Sequence, residues 1–555
     1  MELIQIRVDK ATGTYADTLE AVGVATLLRD LDAGAPVIRD LETHFVVTTG
    51  STADTTGSIS AGFPYIWDSI KEPQKPNVDN ILDYQGERQK RDASVKFEQS
   101  RKKGKLKAQL EDQQLEAPPK PHAETGTSVI LASMRKGWNA DRNLVHWLSN
   151  NQAEAAKWVR ARIEGAIETI DAPPFSGSQI LNPISGKGVN APKTEARSAG
   201  SLPAVLIDPF REWMKLRGLW AAMLLYRSDE DFKFFVIEPT DIPVTAIVSL
   251  RHDLLRLNLW GGVRLDIEAL LRCAQILLRH SDVLKEGSSL RLRGRKPKAI
   301  VSGLRVAYFK SLGTAPALMN SSFYPMPSWF AVHTEEDANA FLAIIDEAIG
   351  NANEGDRTWG CLGSLQEKHS DDGATLQKFR DWLLTEDLLT MLDFHYSFAL
   401  HVVQRLSRND YAVPFSTKYL HHLLINGFDE RYDVKEIVEN QGFHNIARAI
   451  RNATLYALRL EKSPHEVRFG LAQRWKQKMR AGNGEFLTEA ASFLQDYNWE
   501  VTNKLKGKGF LVATSDLDAL VTLVEAHGAE LVGSLLLAYG YASAPSTAKD
   551  TSDLS

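Results

Sequence analysis

The stretch Phe443-His444-Asn445-Ile446-Ala447-Arg448-Ala449-Ile450-Arg451-Asn452-Ala453-Thr454-Leu455-Tyr456-Ala457-Leu458 decides how the second part of the chain folds. Phe443, Ile446, Ala447, Ile450, Thr454, Ala457 and Leu458 recur at three- and four-residue steps, which is one face of a helix. The other side carries Asn445, Arg448 and Asn452, with Arg451 at the edge. From about Thr375 onward this periodicity dominates and strand-like runs disappear.

Downstream, Ser463-Pro464-His465-Glu466 has the spacing of a capping box with a first-turn proline. Three helices are expected beyond it, over 464–480, 485–506 and 516–541, the last N-capped by Ser515. The small polar residues 546–555 read as a disordered tail.

Upstream, the pattern changes. Ile4, Ile6 and Val8 alternate with polar residues, which predicts a strand over Glu2–Val8. A helix is expected over Ala16–Leu31 and a second strand at Phe45-Val46-Val47. Further helices are expected over 143–170 and Trp213–Tyr226, and strands over Phe232–Ile237 and Ala299–Phe309. Phe175–Gly200 and Asn320–Pro327 read as irregular loops. The fold class is therefore α+β: an irregular N-terminal α/β body with long basic loops, then a C-terminal all-α bundle. The expected divisions are 1–372, a helical connector 373–462, and a three-helix bundle 463–545.

Composition narrows the function. The chain has 555 residues, 43% of them apolar, enough for a sizeable core. Cys273 and Cys361 are the only cysteines, so a disulfide framework and a cysteine-based zinc module are excluded. The first residues show no basic segment followed by an apolar run, and no apolar stretch approaches the ~20 residues of a membrane span. A cytoplasmic protein without membrane contact is expected.

Catalytic patterns are missing. Ser185-Gly186-Lys187-Gly188 lacks the upstream glycine of a phosphate loop, and Gly188 stands where Ser or Thr should bind magnesium. His395 and His401 are six residues apart and fall on different helix faces, and His421-His422 cannot share a site. Arg251-His252-Asp253 has a kinase-like composition in the wrong order. No catalytic residue, metal or cofactor is expected. An enzyme with a dispersed site and a plain scaffold protein remain the alternatives.

The net charge of −5 hides local basic tracks. Arg88–Lys107 holds nine basic residues against Asp92 and Glu98, a local charge of +7. That segment reads either as a solvated helix or as an arm on nucleic-acid phosphates, with Lys102, Lys103 and Lys105 as contacts. Arg291–Lys298 packs five cations into eight residues, including Arg293, Arg295, Lys296 and Lys298. In the first tail helix Arg474 and Lys478 flank one side of the stripe Val467, Leu471, Trp475 and Met479, and Lys476 and Arg480 flank the other. Lys504 and Lys506 end the next helix. Complementing the helix dipole or covering the apolar stripe would explain some of these cations without a ligand.

Gly442–Leu458, Glu485–Val501 and Leu531–Ala542 together resemble the large subunit of type I CRISPR effector complexes (Cascade), in the flavour of subtypes I-A and I-B and of CRISPR-associated transposons. The resemblance implies a non-enzymatic protein that holds the guide RNA 5′ handle and recognises the protospacer-adjacent motif in double-stranded target DNA. It also implies R-loop nucleation, with base pairing to the guide supplying sequence specificity. The implied protein partners are the backbone, handle-processing and small subunits, and a helicase-nuclease or a transposition targeting factor. Motif readers transfer by composition to Gly186, Lys187 and Gly188, with Asn182 and Asn190 beside them. Arg293 and Arg295 are equal rivals, and Asn320, Ser321 and Ser322 come third. Arg448 and Arg451 join the cations above as backbone contacts.

Overall fold

The computed structural model describes residues 4–50, 53–69, 74, 81–102, 144–166, 181–183, 208–228, 231–257, 259–312, 315–353, 356–428, 432–459, 465–506 and 509–544. The fold is α+β, with small antiparallel sheets in the N-terminal part and mostly helices after them. Contacts divide the chain into two compact units. The first comprises Met1–Trp260, Arg279–Leu292 and Pro297–Met326; the second comprises Gly261–Leu278, Arg293–Lys296 and Pro327–Ser555.

The first unit is organised around α1 (Tyr15–Asp30). Thr14 caps it, its hydroxyl accepting from the Ala16 N–H at 3.2 Å. Every residue from Tyr15 to Leu28 is buried, as a helix apolar on nearly all sides requires. The polar exceptions are satisfied. Asp17 accepts the Thr12 and Gly13 N–H groups. Thr18 donates to Glu238, and Glu20 pairs with Arg211 at 2.8 Å.

Later helices of this unit are α2 (Tyr84–Lys102), α3 (Gln152–Ile163), α4 (Pro209–Ala222) and α5 (Val244–Arg256). Helices α1 and α4 cross backbone to backbone. A Cβ at Gly23 would lie 1.8 Å from the Met214 carbonyl oxygen, and one at Gly218 would lie 1.8 Å from that of Leu19. Only glycine permits so close an approach at both positions.

Two four-stranded antiparallel sheets belong to the same unit. The first has the order β1 (Ile4–Asp9), β3 (His44–Thr49), β2 (Val37–Asp40), β8 (Asp241–Pro243), with Val47 opposite both Ile6 and Ile38. Strands β4 (Tyr65–Trp67) and β5 (Ile81–Asp83) form a separate parallel pair. The second sheet has the order β10 (Ala315–Pro325), β9 (Val301–Leu312), β7 (Asp231–Pro239), β6 (Met223–Ser228).

Two expectations are corrected here. The helix expected over Trp213–Tyr226 stops at Ala222, and Met223 turns extended with ψ 133. Met223–Ser228 then pairs with Asp231–Val236, because a short apolar run is equally able to be a buried strand. The expected loop at Asn320–Pro327 is largely strand β10, paired along its length with β9. Its polar residues are those of a sheet edge, whose outer side meets solvent. A register shift between Leu318 and Asn320 leaves Met319 bulged and exposed.

The second unit is helical. Its helices begin with α6 (Val263–Arg279), α7 (Glu335–Ile349), α8 (Ser370–Thr385), α9 (Leu388–Ser407), α10 (Thr417–Gly427) and α11 (Val434–Val438). Then come α12 (Gln441–Arg451), α13 (Leu471–Ala481), α14 (Asn483–Asn503), α15 (Thr514–His527) and α16 (Ala529–Gly540). Asn440 caps α12, its side chain accepting from the Phe443 N–H at 3.1 Å. The face read from Phe443, Ile446, Ala447, Ile450, Thr454 and Ala457 is buried. The helix does not run straight through, however. It widens to a π turn over Asn452–Tyr456, where the Thr454 hydroxyl donates to the Ile450 carbonyl at 2.6 Å.

The tail is also corrected. Ser463 and Pro464 lie outside the described residues. The first tail helix starts at Leu471, behind Gly470 at φ +76, so Val467 is not part of its stripe. The expected last helix is two helices, broken at Gly528, where φ is +84. Ala513, not Ser515, stands at the start of α15, and the Asp516 carboxylate accepts its N–H at 2.9 Å. Among the described residues no helix is long and apolar enough to cross a membrane.

Candidate nucleic-acid interface

Gly186, Lys187, Gly188, Asn190, Lys103 and Lys105 lie outside the described residues, and Lys102 ends α2. Asn182 is 4% exposed. Its Nδ2 donates to Glu212 at 2.9 Å and its Oδ1 accepts from Lys215 at 2.8 Å, while Lys215 also reaches Glu212 at 2.7 Å. Both functions of the amide are taken, so the expected role in reading a base edge is corrected to bracing a buried ion pair.

Of the basic segment Arg291–Lys298, Arg293–Lys296 belong to the second unit and form a turn held by its backbone. Gly294, at φ +76, donates its N–H to the Val332 carbonyl at 2.7 Å, and the Arg295 carbonyl accepts from Val332 at 3.0 Å. Separately, in the first unit, Thr240 holds the Lys298 carbonyl at 2.8 Å. Backbone groups are thus committed while the cations keep solvent access. Arg293 and Lys298 are exposed, and Arg295 and Lys296 are half-buried. A fixed turn presenting cations suits contact with a polyanion. On β10, Asn320 and Ser321 are exposed and Ser322 is half-buried.

The cations of the second unit divide into three kinds. Arg451 is buried, with Nε donating to the Ala542 carbonyl at 2.6 Å and Nη2 to that of Tyr539 at 2.8 Å. Its expected role as a backbone contact is therefore corrected. Arg474, Lys476, Lys478 and Lys504 keep solvent access but have acidic neighbours. Arg474 pairs with Glu489 at 3.1 Å, Lys478 with Glu485 at 2.6 Å, and Lys476 with Asp393 at 2.5 Å. Lys504 lies 3.5 Å from Glu500 and 3.7 Å from Glu466. The third kind is exposed without an acidic partner among the described residues: Arg480, Lys506 and Arg448, the last lying 4.5 Å over the Phe510 ring. The two basic rows read from α13 are thus partly neutralised by acids on neighbouring helices.

One arrangement has no local sequence signal. Ser364 Oγ lies 3.1 Å from His401 Nε2, and His401 Nδ1 lies 3.0 Å from Asp372 Oδ1. Asp372 Oδ2 also accepts the Gln366 N–H at 2.9 Å. Burial lowers the His401 pKa, and Asp372 opposes that shift. Hydroxyl, imidazole and carboxylate in this order are the parts of an activated nucleophile. His401 and Asp372 line a cleft of about 600 Å³, together with Lys378, Arg468 and Phe469, but Ser364 is not in its walls. The relay ties α8 and α9 to the turn Cys361–Ser364 and directs no hydroxyl into the cavity.

His395, also on α9, is packed among Phe394, Phe415 and Tyr419, with no partner for Nε2 among the described residues. Burial pulls its pKa from 6.5 to about 3. The unfolded chain therefore takes up this proton near pH 6.5 and the folded chain only near pH 3. Stability is fully present above that window and falls by about 1.4 kcal/mol per pH unit inside it. His395→Phe is expected to flatten the slope of unfolding free energy against pH between 6 and 4 by about that amount, read by urea titration at each pH. An unchanged slope would show that His395 is not the buried titrating group.

No family model matches this chain, and no curated protein matches it.

Proposed function

We propose that this chain is the non-catalytic large subunit of a type I CRISPR effector complex. One observation carries most of the reading. The three segments that resemble that family, 442–458, 485–501 and 531–542, meet in a single core. Phe443 packs edge-on against Tyr539 at 5.3 Å between ring centroids, and Arg451 reaches the Tyr539 and Ala542 carbonyls. Asn452 donates to the Tyr497 hydroxyl at 3.0 Å, and a Cβ at Gly540 would lie 2.5 Å from Ile450. The segments that carry the resemblance thus belong to one packed substructure of this chain.

In this role the chain binds the guide 5′ handle region and target duplex, reads the protospacer-adjacent motif, nucleates the R-loop and recruits a helicase-nuclease or a transposition factor. Arg293 and Arg295 and, as a separate candidate, Asn320 and Ser321 on a sheet edge are the motif readers, with Lys296 and Lys298 as backbone contacts. Arg448, Arg480 and Lys506 are the candidates for sequence-independent phosphate contact.

The test is co-purification with backbone and handle-processing subunits and guide RNA, followed by binding to duplexes with a randomised flanking motif. Assembly with a motif preference that vanishes when this chain is omitted is the expected result. Failure to assemble sinks the proposal. Within the assembly, Arg480→Gln is expected to weaken binding equally for all sequences and to lower the salt slope by about 0.9. The same change at Lys478 should do less, because Glu485 already neutralises it. The pair Arg293→Gln and Arg295→Gln is expected to relax preference at one motif position by about 1–3 kcal/mol. A uniform loss there would assign the turn to phosphate contact.

A further inference from the structure

A cluster of three donor side chains in the helical unit has no part in the proposed interface. Asp433 and Glu436 come from the start of α11, and His527 from the end of α15, 91 residues after Glu436. Glu436 Oε2 lies 3.0 Å from His527 Nε2. One donor atom of each residue, two carboxylate oxygens and an imidazole nitrogen, lies within 4.8 Å of the other two. Among the described residues this is the only group of its kind.

Both backbones that carry the donors are fixed. Val434, Ile437 and Val438 are fully buried and hold α11 down, while Asp433 and Glu436 stay exposed. The corner that follows His527 is clamped by Asn483. Its Nδ2 donates to the Val524 carbonyl at 3.2 Å, and its Oδ1 accepts the Ala529 N–H at 3.0 Å. Donors on rigid elements hold an ion more precisely than donors on loops.

The Asp433 carboxylate has no other employment. It stands at the N-cap position of α11 but accepts no N–H there, and it has no hydrogen bond or ion pair among the described residues. An ion pair between His527 and Glu436 accounts for two of the donors and leaves this third one unexplained. Two carboxylates beside one imidazole leave an excess of negative charge, which a bound divalent cation neutralises.

We propose that Asp433, Glu436 and His527 bind one zinc ion, which ties α11 to α15. Donors ~2.1 Å from a common ion stand roughly 3–4 Å apart, so side-chain movements of about half an ångström to one ångström close the set. The donor types select the metal. Ca²⁺ and Mg²⁺ take oxygen ligands, and Cu(I) prefers sulfur. Zinc accepts imidazole and carboxylate together, with water completing a tetrahedron. Manganese binds such a set more weakly. The inference rests on this cluster alone and is independent of the function proposed above.

The test is calorimetric titration of the chelator-treated full chain with Zn²⁺ alone, and separately with Mn²⁺, Ca²⁺ and Mg²⁺. Asp433→Asn is the deciding variant, because it leaves the His527–Glu436 pair intact and removes a side chain with no other partner among the described residues. His527→Gln removes the imidazole. One equivalent of zinc, bound more tightly than the other three ions and weakened at least tenfold by each variant, supports the proposal. So does a thermal midpoint that rises with zinc in the wild type and in neither variant. X-ray absorption at the zinc edge should show nitrogen and oxygen donors and no sulfur. Zinc binding unchanged in Asp433→Asn overturns the proposal, leaving a plain ion pair and an adventitious ion only. Absence of saturable zinc binding overturns it too, as does Ca²⁺ bound as tightly as Zn²⁺.

Discussion

Gly218→Ala is expected to destabilise the N-terminal unit by about 3 kcal/mol or more. The new methyl carbon would stand 1.8 Å from the Leu19 carbonyl oxygen, a separation no rotamer change relieves because the methyl has none. The helices must part. Parting them also opens the reciprocal contact at Gly23, whose missing Cβ lets the Met214 carbonyl approach. Everything that α1 organises, from Leu19 to Leu28, then loses close neighbours, and voids add to the steric cost. Urea unfolding followed by the fluorescence of Trp158 and Trp213, both fully buried in this unit, reads the effect. Gly57→Ala is the control, since nothing lies within 4 Å of where its methyl would stand. It should stay within about 0.5 kcal/mol of wild type. A Gly218 variant as stable as the control would mean the helices do not cross there.

The sequence made α1, β1 and β3 legible because their signals are local. Alternation in Ile4–Val8, the short apolar run Phe45–Val47 and the helical stretch Ala16–Leu31 need no knowledge of distant residues. What failed was non-local. Met223–Tyr226 satisfies either a helix or a strand until Phe232–Val236 is known to pair with it. Asn320–Ser322 reads as a loop until β9 is placed beside it. The break between α15 and α16 was readable in principle, since Gly528 sits between two apolar patterns, but a continuous amphipathic face masked it.

The candidate site was legible only as charge. Its cations stand out in the sequence, but their partners do not. Glu489 and Glu485 neutralise Arg474 and Lys478 from the next helix, and Asp393 reaches Lys476 from a helix more than eighty residues away in the chain. Asn182 resembles a base reader because amides can do that work, and burial against Glu212 and Lys215 removes it.

Arg451→Met is expected to destabilise the helical unit by about 3 kcal/mol, although the side chain carries a charge that would suit DNA. The reason is what Arg451 holds. The Tyr539 carbonyl lies in the last turn of α16 and the Ala542 carbonyl just beyond it, where backbone acceptors lack the full set of partners found inside a helix. A cation there satisfies two of them and also complements the negative end of the helix. Methionine fills much of the space, leaves the Ala542 carbonyl without its donor and leaves the Tyr539 carbonyl with only the Ala542 N–H at 3.3 Å, and a buried acceptor left unpaired costs about 1–3 kcal/mol. In a unit of this size the midpoint of thermal unfolding should fall by about 6–10 °C. Arg448, one turn earlier on the same helix, separates structure from binding. It is exposed over Phe510, so Arg448→Gln should leave the midpoint nearly unchanged. If the proposed function holds, it should lower nucleic-acid affinity and its salt slope instead. Swapped outcomes, with Arg451 governing binding and Arg448 governing stability, would reverse the assignment of the two arginines, because only a solvent-facing guanidinium can exchange its counterions for a phosphate.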